Sequence, residues 1–375
     1  MVDSITRSGA RYDGKREART FDSAREALGI VSRHVRLRVG VIGLGRLWEA
    51  RHRPSLARLR DQFEVTAVYD QVLRRAELEA TQLGCAAVEG LRALIERPNV
   101  DVVYLLTPQW FGFYPVEIAC ECKKPVYCAL PLAGAPEELE VLARRVEESG
   151  IPFMPEFARR FYPATLRLRE LLATTLGAPR LILGQSRLFG FDRYGQPGPT
   201  TQMAPAPLLI DPGSYLLDWC GFLFQADPVA VQASEGCVLP GVGEEGAGPD
   251  FESFIAEFAG GGLAQITFGR YHRKPWGEAT RFLPQPGFQI FAERGAAWLE
   301  MPERIQWSDA SGTREERLPL EPTVGDVLND QFHRLVRGDH SLAPTIGAAL
   351  AVARGVSDLR QSQREGRKIR RPPAT

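Results

Sequence analysis

Cysteine, histidine and methionine are scarce in this chain of 375 residues, which holds 6, 5 and 4 of them. The cysteines, at positions 85, 120, 122, 128, 220 and 237, are too sparse for a disulfide framework, and a reducing compartment would keep them as thiols. Cys120, Cys122 and Cys128 cluster in sequence, but no second spaced pair and no neighbouring histidine accompanies them. That favours buried thiols over a metal site. Net charge is absent too: Lys plus Arg and Asp plus Glu both number 46, so no global field draws the phosphates of nucleic acid or anionic lipid. Nowhere do 18 uninterrupted apolar residues occur, and the N-terminal MVDSITRSGARYDGKREART has positive charge without a signal peptide's apolar stretch. The expectation is a soluble cytoplasmic protein without a nucleic-acid or membrane partner. What is present is an ordinary globular composition, 44% hydrophobic and 25% charged, in a chain long enough for two domains of about 150 residues.

Residues 1–36 hold few large apolar groups before Phe21, after which Ser23 to Glu26 forms a capping-box pattern leading into ALGIV. This predicts a loose arm ending in one short docked helix. From Leu37 to about residue 155, apolar strands (LRVGVI, EVTAVY, VDVVYLL, PVYCAL, IPFM) alternate with helical stretches such as LRRAELEATQL and PEELEVLARRVEES. That alternation predicts a doubly wound α/β domain, a parallel sheet covered on both faces. From 156 to 365 the texture changes: a helix near 162–175, a strand at RLILGQSRL, a Gly- and Pro-rich loop, a helix from Asp211, then strands of two-residue alternation. Phe254, Ala256 and Phe258 share one strand face, as do Ala264, Ile266 and Phe268. Late helices near 323–337 and 343–362 complete an α+β domain with a largely antiparallel open sheet, and a basic tail, 366–375, follows.

The segment VGVIGLGRLW puts Gly43 and Gly45 directly after an apolar strand and at the opening of a helix. In a dinucleotide-binding turn the first glycine makes the tight bend and the second lets backbone approach the pyrophosphate, so Gly43, Leu44, Gly45, Arg46 and Leu47 form the candidate phosphate loop. The third glycine position, which permits close helix–strand packing, holds Trp48. Asp70 ends the second strand 22 residues later, where an acid would hydrogen-bond the adenosine ribose, favouring NAD over NADP. Arg74 and Arg75 temper that preference, and Arg75 counts with the cofactor site. The competing reading is that the turn serves folding alone and Asp70 only caps the next helix.

Taken together, VGVIGLG, Thr107-Pro108 after the fourth strand, KKPVYCALPLA and Asp211-Pro-Gly-Ser-Tyr215-Leu-Leu-Asp218 resemble the family of glucose-fructose oxidoreductase, inositol dehydrogenase and MocA (Gfo/Idh/MocA) over residues 37–365. The resemblance implies a Rossmann domain binding NAD or NADP, a sugar or polyol placed against the second domain's sheet, and a homo-oligomer paired through that sheet. It also implies that Thr107, Pro108, Leu130 and Pro131 border the nicotinamide. The family's Glu-Lys-Pro after the fifth strand is here Ala129-Leu130-Pro131, so its lysine is absent. A histidine common in the family falls on Gly112, and that of the Asp-x-x-x-His pattern falls on Tyr215, where part of the family also has tyrosine.

Asp211, Ser214, Tyr215 and Asp218 recur at helix spacing and share one face. Tyr215 is the candidate to exchange a hydroxyl proton, with Asp211 steadying it; the alternatives are a core aromatic and an N-cap before Pro212. A phenol, ordinarily near pKa 10, needs a cation to act at neutral pH. Arg159 and Arg160, in PEFARRFYP, are the nominated cations and substrate contacts, a surface salt bridge being the alternative for each. Asp218 and His272 complete the substrate set, a solvated strand end being the alternative for His272. Two functions follow: an NAD(P)-dependent oxidoreductase acting on a sugar-like hydroxyl or carbonyl, or a catalytically degenerate relative serving as a dinucleotide sensor or structural subunit. The missing lysine supports the second; the retained loop, Asp70 and Tyr215 support the first.

Overall fold

Apolar strands at the front of the chain pair side by side, the central ones buried on both faces. The computed structural model describes residues 36–129, 135–189, 212–237, 249–272, 287–339 and 341–371. The expected arm helix near Ser23, and Asp211, Leu130 and Pro131, lie outside the described residues. In chain order the first part comprises β1 (Leu37–Ile42), a π turn (Trp48–His52) running into α1 (Arg53–Arg58), β2 (Phe63–Tyr69), α2 (Leu73–Leu83), β3 (Ala86–Ala87), α3 (Leu91–Ile95) and β4 (Val102–Leu105). It continues with α4 (Pro108–Phe111), α5 (Tyr114–Glu121), β5 (Val126–Cys128), α6 (Pro136–Ser149) and β6 (Phe153–Pro155). The strands form a parallel sheet in the order β3-β2-β1-β4-β5-β6. The order reverses between β1 and β4, which opens a crevice at their carboxyl ends.

Downstream come α7 (Pro163–Leu171), β7 (Pro179–Phe189), α8 (Ser214–Phe224), β8 (Pro228–Gly236), β9 (Phe251–Phe258), β10 (Leu263–His272) and β11 (Gly287–Ala292). The rest are β12 (Gly295–Glu300), β13 (Arg304–Asp309), β14 (Gly312–Arg317), α9 (Val324–Arg337), α10 (Ile346–Glu365) and β15 (Ile369–Arg370). The second sheet runs β14-β13-β12-β11-β7-β10-β9-β8-β15. It is antiparallel except between β7 and β10, which are parallel. The predicted inward faces hold: Phe254, Ala256, Phe258, Ala264, Ile266 and Phe268 are all buried, under α7, α8 and α10. The close approach needed at the sheet's centre explains Gly184, where a Cβ would lie 2.5 Å from the Phe288 ring and 2.7 Å from Ile266.

α9 and α10 return to the first sheet. Leu328 and Phe332 of α9 share a core with Trp48, Tyr104 and Tyr127, while α10 packs on α6 and is tied to it by an Arg354–Glu140 ion pair of 2.6 Å. Three wholly buried side chains register α9 on the sheet: the Tyr104 hydroxyl donates to Asn329 Oδ1 at 3.2 Å, and Asn329 Nδ2 donates to Ser55 Oγ at 2.7 Å. Removing the amide strands two polar groups away from water. Asn329→Ala is expected to cost about 1–3 kcal/mol, measured as a lower urea midpoint with an unchanged slope.

Candidate functional site

At the carboxyl end of β1 the chain must turn sharply while a neighbouring strand end crowds it. Gly43 adopts φ +94°, and a Cβ there would fall 2.1 Å from Thr107 Oγ1. Only glycine meets both demands. Thr107 therefore stands directly behind the turn, and the predicted loop and the predicted Thr-Pro segment come together at the sheet's switch point. Asp70 locks the turn from the other side. Its Oδ2 accepts the Leu44 N–H at 2.9 Å, its Oδ1 accepts the Val72 N–H at 2.9 Å, and Arg75 Nη1 lies 3.1 Å from Oδ1. Asp70 thus anchors the loop and starts α2, whatever else it contacts. Arg75, half exposed, is held at the same edge.

The substitution at the third glycine position has a structural answer. Trp48 is buried, packs in the core beneath the sheet, and donates from Nε1 to Glu79 Oε1 of α2 at 3.1 Å. The helix proceeds from it as a π turn, with Arg53 N–H reaching Trp48 C=O. The N–H groups that open this helix still have no intrahelical acceptors, which is the property a pyrophosphate needs. The residues present therefore fit a dinucleotide: a glycine cradle that a Cβ would fill, an exposed helix start and a fixed acid at the end of β2.

Beneath the loop lies a polar cluster that sequence reasoning missed. Glu156, the residue after β6, is almost fully buried and takes three partners: Arg51 Nη1, the Tyr127 hydroxyl at 2.9 Å and His52 Nε2 at 3.0 Å. Tyr127 stacks on Tyr104 with centroids 4.8 Å apart. His52 is fully buried, and its Nδ1 has no hydrogen-bond partner among the described residues, so protonation would bury an unsatisfied donor. Burial first, and the adjacent Arg51 charge second, lower its pKa to about 3. It donates to Glu156 as a neutral imidazole. A hint was available in PEFARR, where an acid directly follows an apolar strand.

Two residues past that cluster, Ala158–Phe161 forms a short 3-10 turn that carries the nominated arginines. Arg160 donates twice to Asp218 of α8, at 2.8 and 2.5 Å, in a pair whose side chains are 14% and 1% exposed. Burial raises the Asp218 pKa to about 6 against the pull of Arg160. The guanidinium also lies 5.1 Å from the Phe157 ring and 4.9 Å from the Phe222 ring. Arg160 is therefore committed to Asp218, while Arg159 Nη1 reaches Met301 Sδ at 3.5 Å. Tyr215 sits partly buried in the first turn of α8, edge-on to Phe157 at 6.4 Å. Ser214 beside it is buried. His272 ends β10, and its side chain is not among those described. Gly112 has φ +58°, a conformation a histidine would adopt only under strain. The cysteines are free thiols, with Cys120, Cys128 and Cys220 buried. No described helix is long and apolar enough to cross a membrane.

A parallel sheet whose order reverses beside a Thr-backed glycine turn, followed by a mixed sheet under helices, defines a Rossmann-type dinucleotide-binding protein with an appended α+β part. The chain belongs to the Gfo/Idh/MocA family of oxidoreductases: residues 37–157 match the family's NAD-binding Rossmann fold and residues 165–298 its C-terminal domain. Over 146 residues it is 34% identical to inositol 2-dehydrogenase 2 of Mycolicibacterium vanbaalenii, covering 38% of this chain and 42% of that protein. Over 133 residues it is 29% identical to the 2,7-anhydro-N-acetylneuraminate hydratase of Escherichia coli, covering 36% of this chain and 35% of that protein. The matches thus span less than half of these curated relatives' own lengths. An Agrobacterium radiobacter oxidoreductase solved with NAD+, L-tartaric acid and magnesium is 19% identical and superposes with a TM-score of 0.77 over 90% of this chain and 98% of that one. That last likeness is one of fold.

The His52 assignment has a definite pH signature. The unfolded imidazole takes a proton near pH 6.5 and the folded one only near 3, so between those values the unfolded state binds the extra proton. Stability therefore falls as pH drops through that window. Between pH 7 and pH 5 the wild type should lose about 2 kcal/mol that a His52→Gln variant does not, read from urea midpoints at both pH values. Equal losses in the two proteins would mean that the folded imidazole takes up its proton over the same pH range as the unfolded one.

Proposed function

We propose that the chain is an NAD(P)-dependent oxidoreductase that exchanges a hydride with the hydroxyl or carbonyl carbon of a sugar- or polyol-like small molecule, NAD being favoured over NADP. The observation that carries this reading is the glycine turn, with Gly43 set against Thr107 and Leu44 held by Asp70 at the switch point of a family whose first domain binds NAD. The name of the inositol dehydrogenase relative supports the substrate class. In this reading residues 37–155 hold the dinucleotide and residues 156–365 present the substrate. The bound nicotinamide supplies or accepts the hydride.

The chain's own residues divide the remaining work. The N–H groups of Gly45, Arg46 and Leu47 take the pyrophosphate, and Asp70, already fixed by Leu44, faces the ribose. A leucine such as Leu130 cannot move a proton, so Tyr215 Oη exchanges it with the substrate oxygen, Asp211 being the assisting carboxylate of this reading. With Arg160 engaged by Asp218, Arg159 is the better candidate to favour the phenolate. Bringing a phenol from near pKa 10 to neutrality takes about 4 kcal/mol of preferential stabilisation. The Arg160–Asp218 pair holds α8, and with it Tyr215, against the β6 exit.

Two measurements test the reading. Asp70→Ala should weaken NADH binding by about 1–3 kcal/mol and NADPH binding less, by fluorescence titration; equal, negligible effects would remove Asp70 from the site. Tyr215→Phe should abolish most turnover with a responsive polyol while leaving NADH affinity unchanged. Full turnover in that variant would sink the assignment of Tyr215.

A further inference from the structure

A second concave site lies along α8, on the helix's later turns. It is a cavity of about 260 Å³ between α8, Arg169 of α7 and the first turns of α10. A water molecule's share of liquid is about 30 Å³, so the space suits a small organic molecule. One wall is apolar, formed by Leu217 and Phe222 of α8 and by Ala351 and Val352 of α10.

The polar wall is unequally satisfied. Arg160 and Asp218 line the cavity but answer one another as a bidentate pair. Arg169 has no such answer. Its guanidinium lies 4.5 Å from the Phe222 ring centroid, is half-buried, and has no ion pair or hydrogen bond with any described residue. A guanidinium offers five N–H donors in a fork that fits a carboxylate, and one held on an aromatic face has already lost much of its freedom. Exposed Asp227 stands at the rim. Two arginines and two carboxylates leave the lining with no net charge, so one negative charge on a ligand finds Arg169 and a second finds no cation.

We propose that this cavity is a binding site for a small monocarboxylate with a compact apolar body, the carboxylate paired with Arg169 and the body lying on Phe222, Ala351 and Val352. The site differs in position and chemistry from the nicotinamide cleft. Tyr215 lies in the first turn of α8 and does not line this cavity, whose α8 wall begins at Leu217 and Asp218.

The test uses the full chain and benzoate, which combines a single carboxylate with a flat apolar ring, in calorimetric titration against acetate and benzamide. Benzoate should saturate one site per chain. Acetate, which lacks the body, and benzamide, which lacks the charge, should each bind at least about tenfold more weakly, the scale of one charged hydrogen bond. Arg169→Gln should weaken benzoate by the same factor. Ala351→Phe, which fills the cavity without touching a charge, should do likewise. Tyr215→Phe should leave benzoate binding unchanged. Absence of saturable benzoate binding, unaltered affinity in both cavity variants, or a loss confined to Tyr215→Phe would each overturn the proposal.

Discussion

A single buried carboxylate organises the floor of the candidate site. Glu156 carries its charge into a region with almost no solvent, and such a charge is tolerated only when its oxygens are fully answered. Its partners come from separate elements: Arg51 and His52 from the helix that follows the glycine turn, and Tyr127 from β5. Because His52 stays neutral, the cluster balances one arginine against one glutamate. The distance between the phosphate-loop helix and the exit of β6 is thereby set by hydrogen-bond lengths. The arginines at 159 and 160 leave from that same exit, so one electrostatic constraint relates the helix after the glycine turn to the turn that carries them.

The loop above shows one side chain holding two segments at once. Asp70 at the end of β2 is that side chain. Its two oxygens hold the Leu44 and Val72 N–H groups, so the carboxylate is pre-positioned before any ligand arrives. Preorganisation of this kind lowers the ordering cost of binding. Trp48 makes the complementary point. A bulky residue where close packing normally asks for glycine is accommodated by turning the indole into the core and passing through a π turn.

The Arg160–Asp218 pair performs for the second part of the chain what Glu156 performs for the first. It is more deeply buried, it is bidentate, and it joins the turn after β6 to the middle of α8. The orientation of the helix start at Ser214 and Tyr215 follows from it. Phe222 receives both Arg160 and Arg169 near its ring, so the apolar body of α8 is lined by cations at two heights. Of those two cations, only Arg160 has a carboxylate partner among the described residues.

Periodicity and turn chemistry made much of the architecture legible. LRRAELEATQL and PEELEVLARRVEES are helices with the bounds their patterns suggest, the alternating faces of β9 and β10 are buried as read, and Gly43 makes the turn its position after an apolar strand implied. These are local properties, since a side chain's face follows from its place in a 3.6- or 2-residue repeat. The parallel pairing of β7 with β10 was not legible, because strand partners are chosen by long-range packing. Nor was the cluster around Glu156. His52, Tyr127 and Glu156 lie about a hundred residues apart at the extremes, and each taken alone is an ordinary polar residue near an element's end. Sequence nominated Arg160 and Asp218 separately as substrate contacts; only the fold made them each other's partner, because burial forces opposite charges together once water is gone.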